Sequence, residues 1–290
     1  MPTPWTVTDT GSTLDFRGPG ASRLLYHPAA RLPHFHPVVT PAGRCVSLAV
    51  PQDHPWHVGL YFAWKFVNGV NCWEPEGGGA QAGPAAAEGC AAGGADGVAL
   101  RQRLTWGDPS APSLREERHI RLATVDTDCV RLDWDAHFTA LRETTLDRTP
   151  PPPEVAWGGY AGLSARLPRS FYDAEVCDAE GRTGAAAVHG HRAAWCACAG
   201  KVDGEVGAWC GVALLEHPGN PGFPGHSFAL TGGALQFLQR AALWAAPVHL
   251  GEGDDLHLRY RVLVFDGRAD TGRISAEAGA FGRGACTPAP

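Results

Sequence analysis

At 290 residues, 44% of them hydrophobic, the chain is long enough to bury a sizeable core in one large or two small domains. Its 24 Lys and Arg against 30 Asp and Glu give a formal charge of -6 without a basic block, which argues against a nucleic-acid partner. No apolar run is long enough to span a bilayer, and the N-terminus lacks a basic region followed by an apolar one, so a soluble, cytoplasmic protein is expected.

Short apolar runs and period-two alternation predict strands over residues 43–50, 58–67, 98–106, 113–124, 129–140, 155–167, 191–199, 206–215 and 256–265. In 129–140, Val130, Leu132, Trp134, Ala136 and Phe138 fall on one face and Arg131, Asp133, Asp135, His137 and Thr139 on the other. Residues 256–265 repeat the pattern, with Leu258, Tyr260, Val262 and Val264 opposite His257, Arg259 and Arg261. No amphipathic helix stands out. With 37 glycines and 24 prolines between the runs, the expectation is an all-β fold, a large antiparallel β-sandwich. A Gly/Ala-rich stretch near 77–97 reads as a loose excursion at one edge, and Pro150 to Pro153 as a stiff crossover within a single domain covering 1–290. The nine cysteines are odd in number and scattered, without C-x-x-C spacing, so free thiols are expected. Cys196 and Cys198 form a C-x-C pair on one strand face and read as small buried apolar residues.

The densest chemistry lies in Asp53-His54-Pro55-Trp56-His57, just before the apolar run Leu60-Tyr61-Phe62-Ala63-Trp64. Pro55 pushes His54 out of helical geometry, so these groups sit on an extended loop entering a buried strand. A carboxylate beside an imidazole fixes its tautomer and raises its basicity. Glu216-His217-Pro218 echoes the arrangement at the end of a second apolar run. If the two strand ends meet, His54, His57 and His217 converge, with His34 and His36 able to join from an i, i+2 pair. Such a cluster suits one divalent transition metal or, without one, proton transfer beside a carbonyl. Trp56 and Trp73 are candidate stacking faces for a sugar, while Trp64 and Trp157 read as core. Asn68 and Asn71 flank Gly69 in a turn, where local backbone bonding is their leading role, and Glu74 follows an aromatic and is expected either in a pocket or at its rim.

Read together, His36-Pro37-Val38-Val39-Thr40-Pro41-Ala42-Gly43, the block Asp53 to Trp64, and Val67-Asn68-Gly69-Val70-Asn71-Cys72-Trp73-Glu74 resemble the PmoA-like family of unknown function, DUF6807. Tyr160-Ala161-Gly162-Leu163 with Arg166 and Phe171, Leu215 to Pro221, and Leu258 to Val264 extend the likeness over most of the chain. One departure matters: the family motif has another His where Trp56 stands, and Arg is common where Val58 stands. The resemblance implies a sandwich like that of the aldose mutarotases and a place in carbohydrate metabolism. The "methane oxygenase" label often attached to the family belongs to an integral membrane protein, and no membrane span is visible in this chain. The expected function is therefore a sugar-processing enzyme catalysing epimerisation, isomerisation or elimination. Asp53 would orient an imidazole, His54, His57 and His217 would move protons or hold a metal, and His36, Trp56, Trp73, Glu74, Asn68, Arg166 and Arg261 would bind a small sugar or sugar derivative. Two alternatives are a non-catalytic carbohydrate-binding protein with an open aromatic platform and a metal-dependent oxygenase with a closed His/carboxylate site.

Overall fold

The computed structural model describes residues 5–74, 80–89, 97–233 and 235–283. In chain order, β1 (Thr6–Asp9), β2 (Leu14–Arg17), β3 (Arg23–His27), β4 (His34–Val39) and β5 (Leu60–Ala63) lead to a short hairpin, β6 (Phe66–Val67) and β7 (Val70–Asn71). Then come β8 (Ala80–Gly89), β9 (Gly97–Asp108), β10 (Ala111–Asp126), β11 (Cys129–Ala140), β12 (Thr144–Asp147), β13 (Gly162–Arg166) and β14 (Tyr172–Asp178). A one-turn helix α1 (Ala185–Val188) precedes β15 (Trp195–Lys201), β16 (Trp209–Glu216), β17 (His226–Leu230) and β18 (Phe237–Ala241). The described chain ends with β19 (Val248–Leu250), β20 (Asp255–Asp266) and helix α2 (Thr271–Arg283).

Sheet one has the order β1-β2-β3-β4-β5-β13-β18-β17, sheet two β14-β15-β16-β20-β11-β10-β9-β8, and a small third sheet β19-β12-β6-β7. Every named pairing is antiparallel, as expected. Alternation along β11 and β20 decides the core. Their register pairs Trp134 with Tyr260 on one face and Asp133 with Arg261 on the other. The apolar face meets sheet one, where Phe35 lies 6.2 Å from Trp134 and Phe62 lies 5.4 Å from Phe138, centroid to centroid. Two ion pairs are buried between the sheets, Arg118 with Glu116 (2.6 Å) and Arg240 with Glu216 (3.0 Å). The opposite face of sheet two carries Trp195, Leu215, Leu263 and Phe265, packed with Ile274 of α2.

Four expectations are corrected. Helix α2 has one buried side chain, Ile274, so it presents no apolar stripe for periodicity to reveal. Its start is capped by Asp270, whose Oδ1 accepts from the Arg273 N–H at 3.0 Å. Residues 43–50 form no strand; only isolated bridges at Cys45 and Ala49 remain. The strand expected over 155–167 begins at Gly162, because 151–157 is taken up by turns. Within the stretch 77–97, Ala80–Gly89 is an edge strand paired with β9, while 77–79 and 90–96 lie outside the described residues. Cys45, Cys72, Cys129, Cys177, Cys196, Cys198 and Cys210 are free thiols, and Cys196 and Cys198 are buried in the core; Cys90 and Cys286 lie outside the described residues. No described helix is long and apolar enough to cross a membrane.

Candidate functional site

Alternation along β5 sends Phe62 inward against sheet two and leaves Tyr61 on the outer face of sheet one. Cross-strand pairing puts Ser164 beside Tyr61 and Phe237 beside Arg166 on that same outer face. The loop between β4 and β5 folds over it. The His57 N–H donates to the His54 carbonyl (2.9 Å), the His54 N–H to the Pro51 carbonyl (3.1 Å), and the Val50 N–H to the His57 carbonyl (2.8 Å). Val50 closes the loop at a φ of 51°, a strained conformation for a β-branched residue, and its side chain is 63% exposed. At Gly59 (φ 86°) the backbone runs so close to β4 that a Cβ would fall 2.4 Å from the Phe35 carbonyl oxygen.

This loop stacks His54 on His57 (4.9 Å, 20°) and His57 on Phe237 (4.8 Å, 20°). His54 Nδ1 lies 2.7 Å from Asp53 Oδ2. An ionised carboxylate can only accept, so Nδ1 of His54 carries the proton and Nε2 is a bare acceptor. His57 Nδ1 lies 3.4 Å from Arg166 Nη1. A guanidinium can only donate, so His57 has the opposite tautomer, with its proton on Nε2. Burial pushes the His57 pKa down to about 3, and the charges of Arg166 and His54 act in the same direction. Burial also lowers His54, again helped by Arg166. Both rings are therefore neutral near pH 7. Asp53 also accepts from Arg166 Nη2 (3.3 Å) and from Arg169.

The loop, the segment at 73–74, the turn at 157–160 and strands β17 and β18 enclose a cavity of about 340 Å³. Trp56, Trp73, Trp157, Tyr160, Phe228 and Phe237 supply its aromatic walls, and Glu74, His54 and His57 its titratable groups. Arg31 holds the 72–74 segment by donating to the carbonyls of Cys72 (3.4 Å), Trp73 (2.6 Å) and Glu74 (3.3 Å). The Glu74 carboxylate accepts from Lys65 and from the Tyr160 hydroxyl (3.0 Å). Burial alone would raise the Glu74 pKa, but the hydrogen bonds from Lys65, Asn71 and Tyr160 outweigh it and hold it below the usual carboxylate range. Glu74 is thus an anionic acceptor among largely aromatic walls.

The structure brings together His54, His57, Trp56, Trp73 and Glu74, with Asp53 behind His54. Arg166 has no exposed surface; it props Asp53 and His57 from beneath and is not placed to touch a ligand. His217 does not converge with His54 and His57. Leu214 and Glu216 face the sandwich interior, so Leu215 and His217 face the far side of sheet two. There His217 packs on Phe281 of α2 (4.9 Å), with the whole sandwich between it and the cavity. Arg261 shares that far face, bonded to Asp133 (2.6 and 2.9 Å) and to Glu277 (2.8 Å). His36 is tied to Ser47 Oγ (2.9 Å) and His34 to the Leu32 carbonyl (2.8 Å), away from the cavity lining. Asn68 sits in the β6–β7 turn at a φ of 48° and bonds Ser113, Glu143 and Thr145, so its amide is spent on structure.

The expected three-His metal centre does not form. Imidazole lone pairs lie in the ring plane, and in nearly parallel stacked rings they run side by side rather than meeting at bond length. Each Nδ1 is also occupied, one by Asp53 and the other by Arg166. Among the described residues no three His, Cys, Asp or Glu side chains are grouped to hold a metal ion. Trp157, expected in the core, is instead 58% exposed at the cavity rim, because it lies in the turn preceding β13. Sequence reasoning missed Tyr160, Phe228 and Phe237 as walls, and Arg169 as a partner of Asp53. One signal was available: Lys65 directly follows an apolar run, and a buried lysine needs a carboxylate nearby.

The model of a family described as a family of unknown function (DUF6807) matches residues 14–279. No curated protein matches the chain. Among solved structures, an alpha-galactosidase from Lactobacillus brevis is 10% identical with a TM-score of 0.44, over 96% of this chain and 41% of its own. A GH36 alpha-galactosidase from Geobacillus stearothermophilus in complex with raffinose is 10% identical with a TM-score of 0.46, over 85% and 39%. The chain spans about two fifths of the length of either enzyme, and likeness at this level says nothing of its activity.

Proposed function

The chain belongs to the DUF6807 family of unknown function, and we propose that it binds a sugar in the aromatic cavity and moves a proton on it with His54 and His57. The opposite tautomers of the two stacked imidazoles carry this reading. His54, held by Asp53, offers a bare Nε2 as base; His57, held by Arg166, offers an Nε2–H as hydrogen-bond donor. Removal of a proton from a carbon beside a carbonyl needs that combination: an acceptor for the proton and a donor for the oxygen on which charge develops. Aromatic faces suit the apolar C–H side of a pyranose, and the Glu74 carboxylate suits its hydroxyls. Epimerisation, isomerisation and elimination all begin with this step.

A second reading, a sugar-binding protein without turnover, is favoured by the exposed ring of Trp157 at the rim. One experiment separates the two. Aldoses and ketoses are incubated with the protein in deuterium oxide, and proton NMR follows exchange at the carbon beside the carbonyl, while tryptophan fluorescence follows binding. Exchange that disappears in His54→Gln, with binding retained, supports proton transfer. Binding without exchange supports the second reading, and an unchanged fluorescence signal with every sugar rejects both.

A further inference from the structure

Beside the aromatic cavity lies a polar cleft of about 410 Å³, walled by Arg169, Tyr172, Asp173, Asp203, Thr231 and Gln236. The two hollows share the connection between β17 and β18: Leu230 and Leu235 line the cavity, Thr231 and Gln236 the cleft. Their rims are joined by an ion pair, since Arg169 of the cleft bonds the Asp53 carboxylate that holds His54. The cleft differs in kind from the cavity. Donors and acceptors of both charges line it, and the Tyr172 ring, 69% exposed, offers one flat face. Gln236 is only 6% exposed, yet its Oε1 has no hydrogen-bond partner. Buried acceptors without a donor are rare, and rotation of the amide toward the cleft that Gln236 lines would let a ligand hydroxyl satisfy this one.

We propose that the cleft is a second subsite for a further sugar residue, so that the ligand is an oligosaccharide rather than a free monosaccharide. The inference rests on the reading that the cavity holds a sugar. Polar walls with one aromatic face fit a residue held by its hydroxyls, while the apolar cavity fits the residue that is stacked. The Asp53–Arg169 pair at the common rim brings the junction between the two residues close to His54.

The test is calorimetric titration of the full chain with glucose, galactose and xylose and with their di- and trisaccharides. The expected result is that one disaccharide binds about tenfold tighter than its monosaccharide, with no further gain for the trisaccharide. Gln236→Leu, which keeps the volume and removes the amide, should abolish that gain and leave monosaccharide affinity within about twofold. Asp203→Ala, on an exposed turn, should lessen the gain and serves if the first variant fails to fold. Equal affinity for mono- and disaccharide overturns the second subsite while leaving the cavity reading intact. A disaccharide gain that survives both substitutions also overturns it. Failure of every saccharide to bind removes the cavity reading itself, and this inference with it.

Discussion

His34 provides a direct test of the electrostatics of the buried imidazoles, away from the cavity. It is 8% exposed, its Nδ1–H donates to the Leu32 carbonyl at 2.8 Å, and its ring stacks on His27 at 4.6 Å. Burial lowers its pKa to about 4 from 6.5; the bond to Leu32 opposes this, and His27 and His36 reinforce it. Between those two values the unfolded chain holds a proton on this ring that the native ring does not. Stability therefore falls as pH drops from about 6.5 to about 4, with a limiting slope of about 1.4 kcal/mol per unit and a total near 3 kcal/mol. Above 6.5 and below 4 the group contributes no pH dependence. His34→Gln keeps a donor for the Leu32 carbonyl and cannot titrate. Urea unfolding of wild type and variant at pH 7, 6 and 5 should show the variant less stable at pH 7, with the difference shrinking by about 2 kcal/mol at pH 5. Parallel stability curves would mean that the native ring is protonated or that the site is open to water, and would refute the argument.

Four further outcomes follow from the same geometry. Trp157→Ala, at an exposed rim, should change stability by less than about 0.5 kcal/mol but weaken sugar binding measurably by calorimetry. Val50→Asn should raise the urea midpoint by the equivalent of about 1 kcal/mol, because Asn tolerates the left-handed φ that strains valine; a lower midpoint would show that the valine side chain is needed. Arg240→Met leaves Glu216 buried between the sheets without its cation and should cost about 3–5 kcal/mol in equilibrium unfolding. His217→Ala should leave ligand binding unchanged, since its ring packs on α2 across the sandwich; loss of binding would contradict that placement.

The strands legible in the sequence are those with one face buried and one polar. The alternation over 129–140 matches β11 residue for residue, and that over 256–265 falls one residue short of β20 at each end. β17 and β18 were invisible because Ser227, Gln239 and Arg240 are buried beside apolar neighbours, which destroys the alternation. With those strands went the Phe228 and Phe237 wall, since which face of sheet one they occupy depends on pairing with distant β13. The near wall was readable because His54, Trp56, His57, Trp73 and Glu74 lie in two compact loop segments. The His217 expectation failed because the run that precedes it has no alternation to say which side each residue takes. β16 is buried on both faces, so its unbroken apolar run gives no parity, and only the packing shows that Leu214 and Glu216 point inward and His217 to the opposite side.

The cavity stands outside a sandwich whose interior is closed by its own two sheets. The rings that line its mouth belong to surface turns, while the aromatic packing that joins the sheets, from Phe35 and Phe62 to Trp134 and Tyr260, lies on the other side of β5. Trp157 at the mouth can therefore be exchanged without disturbing the interior, whereas Trp56, Leu230 and Leu235 also pack against the core. Selectivity and robustness are separately adjustable at Trp157 and coupled at the walls that pack against the core. Substitutions at Trp157 should change which ligand is accepted while thermal midpoints stay within a few degrees of the parent, whereas substitutions at Leu230, which ends β17 against the core, should lower them.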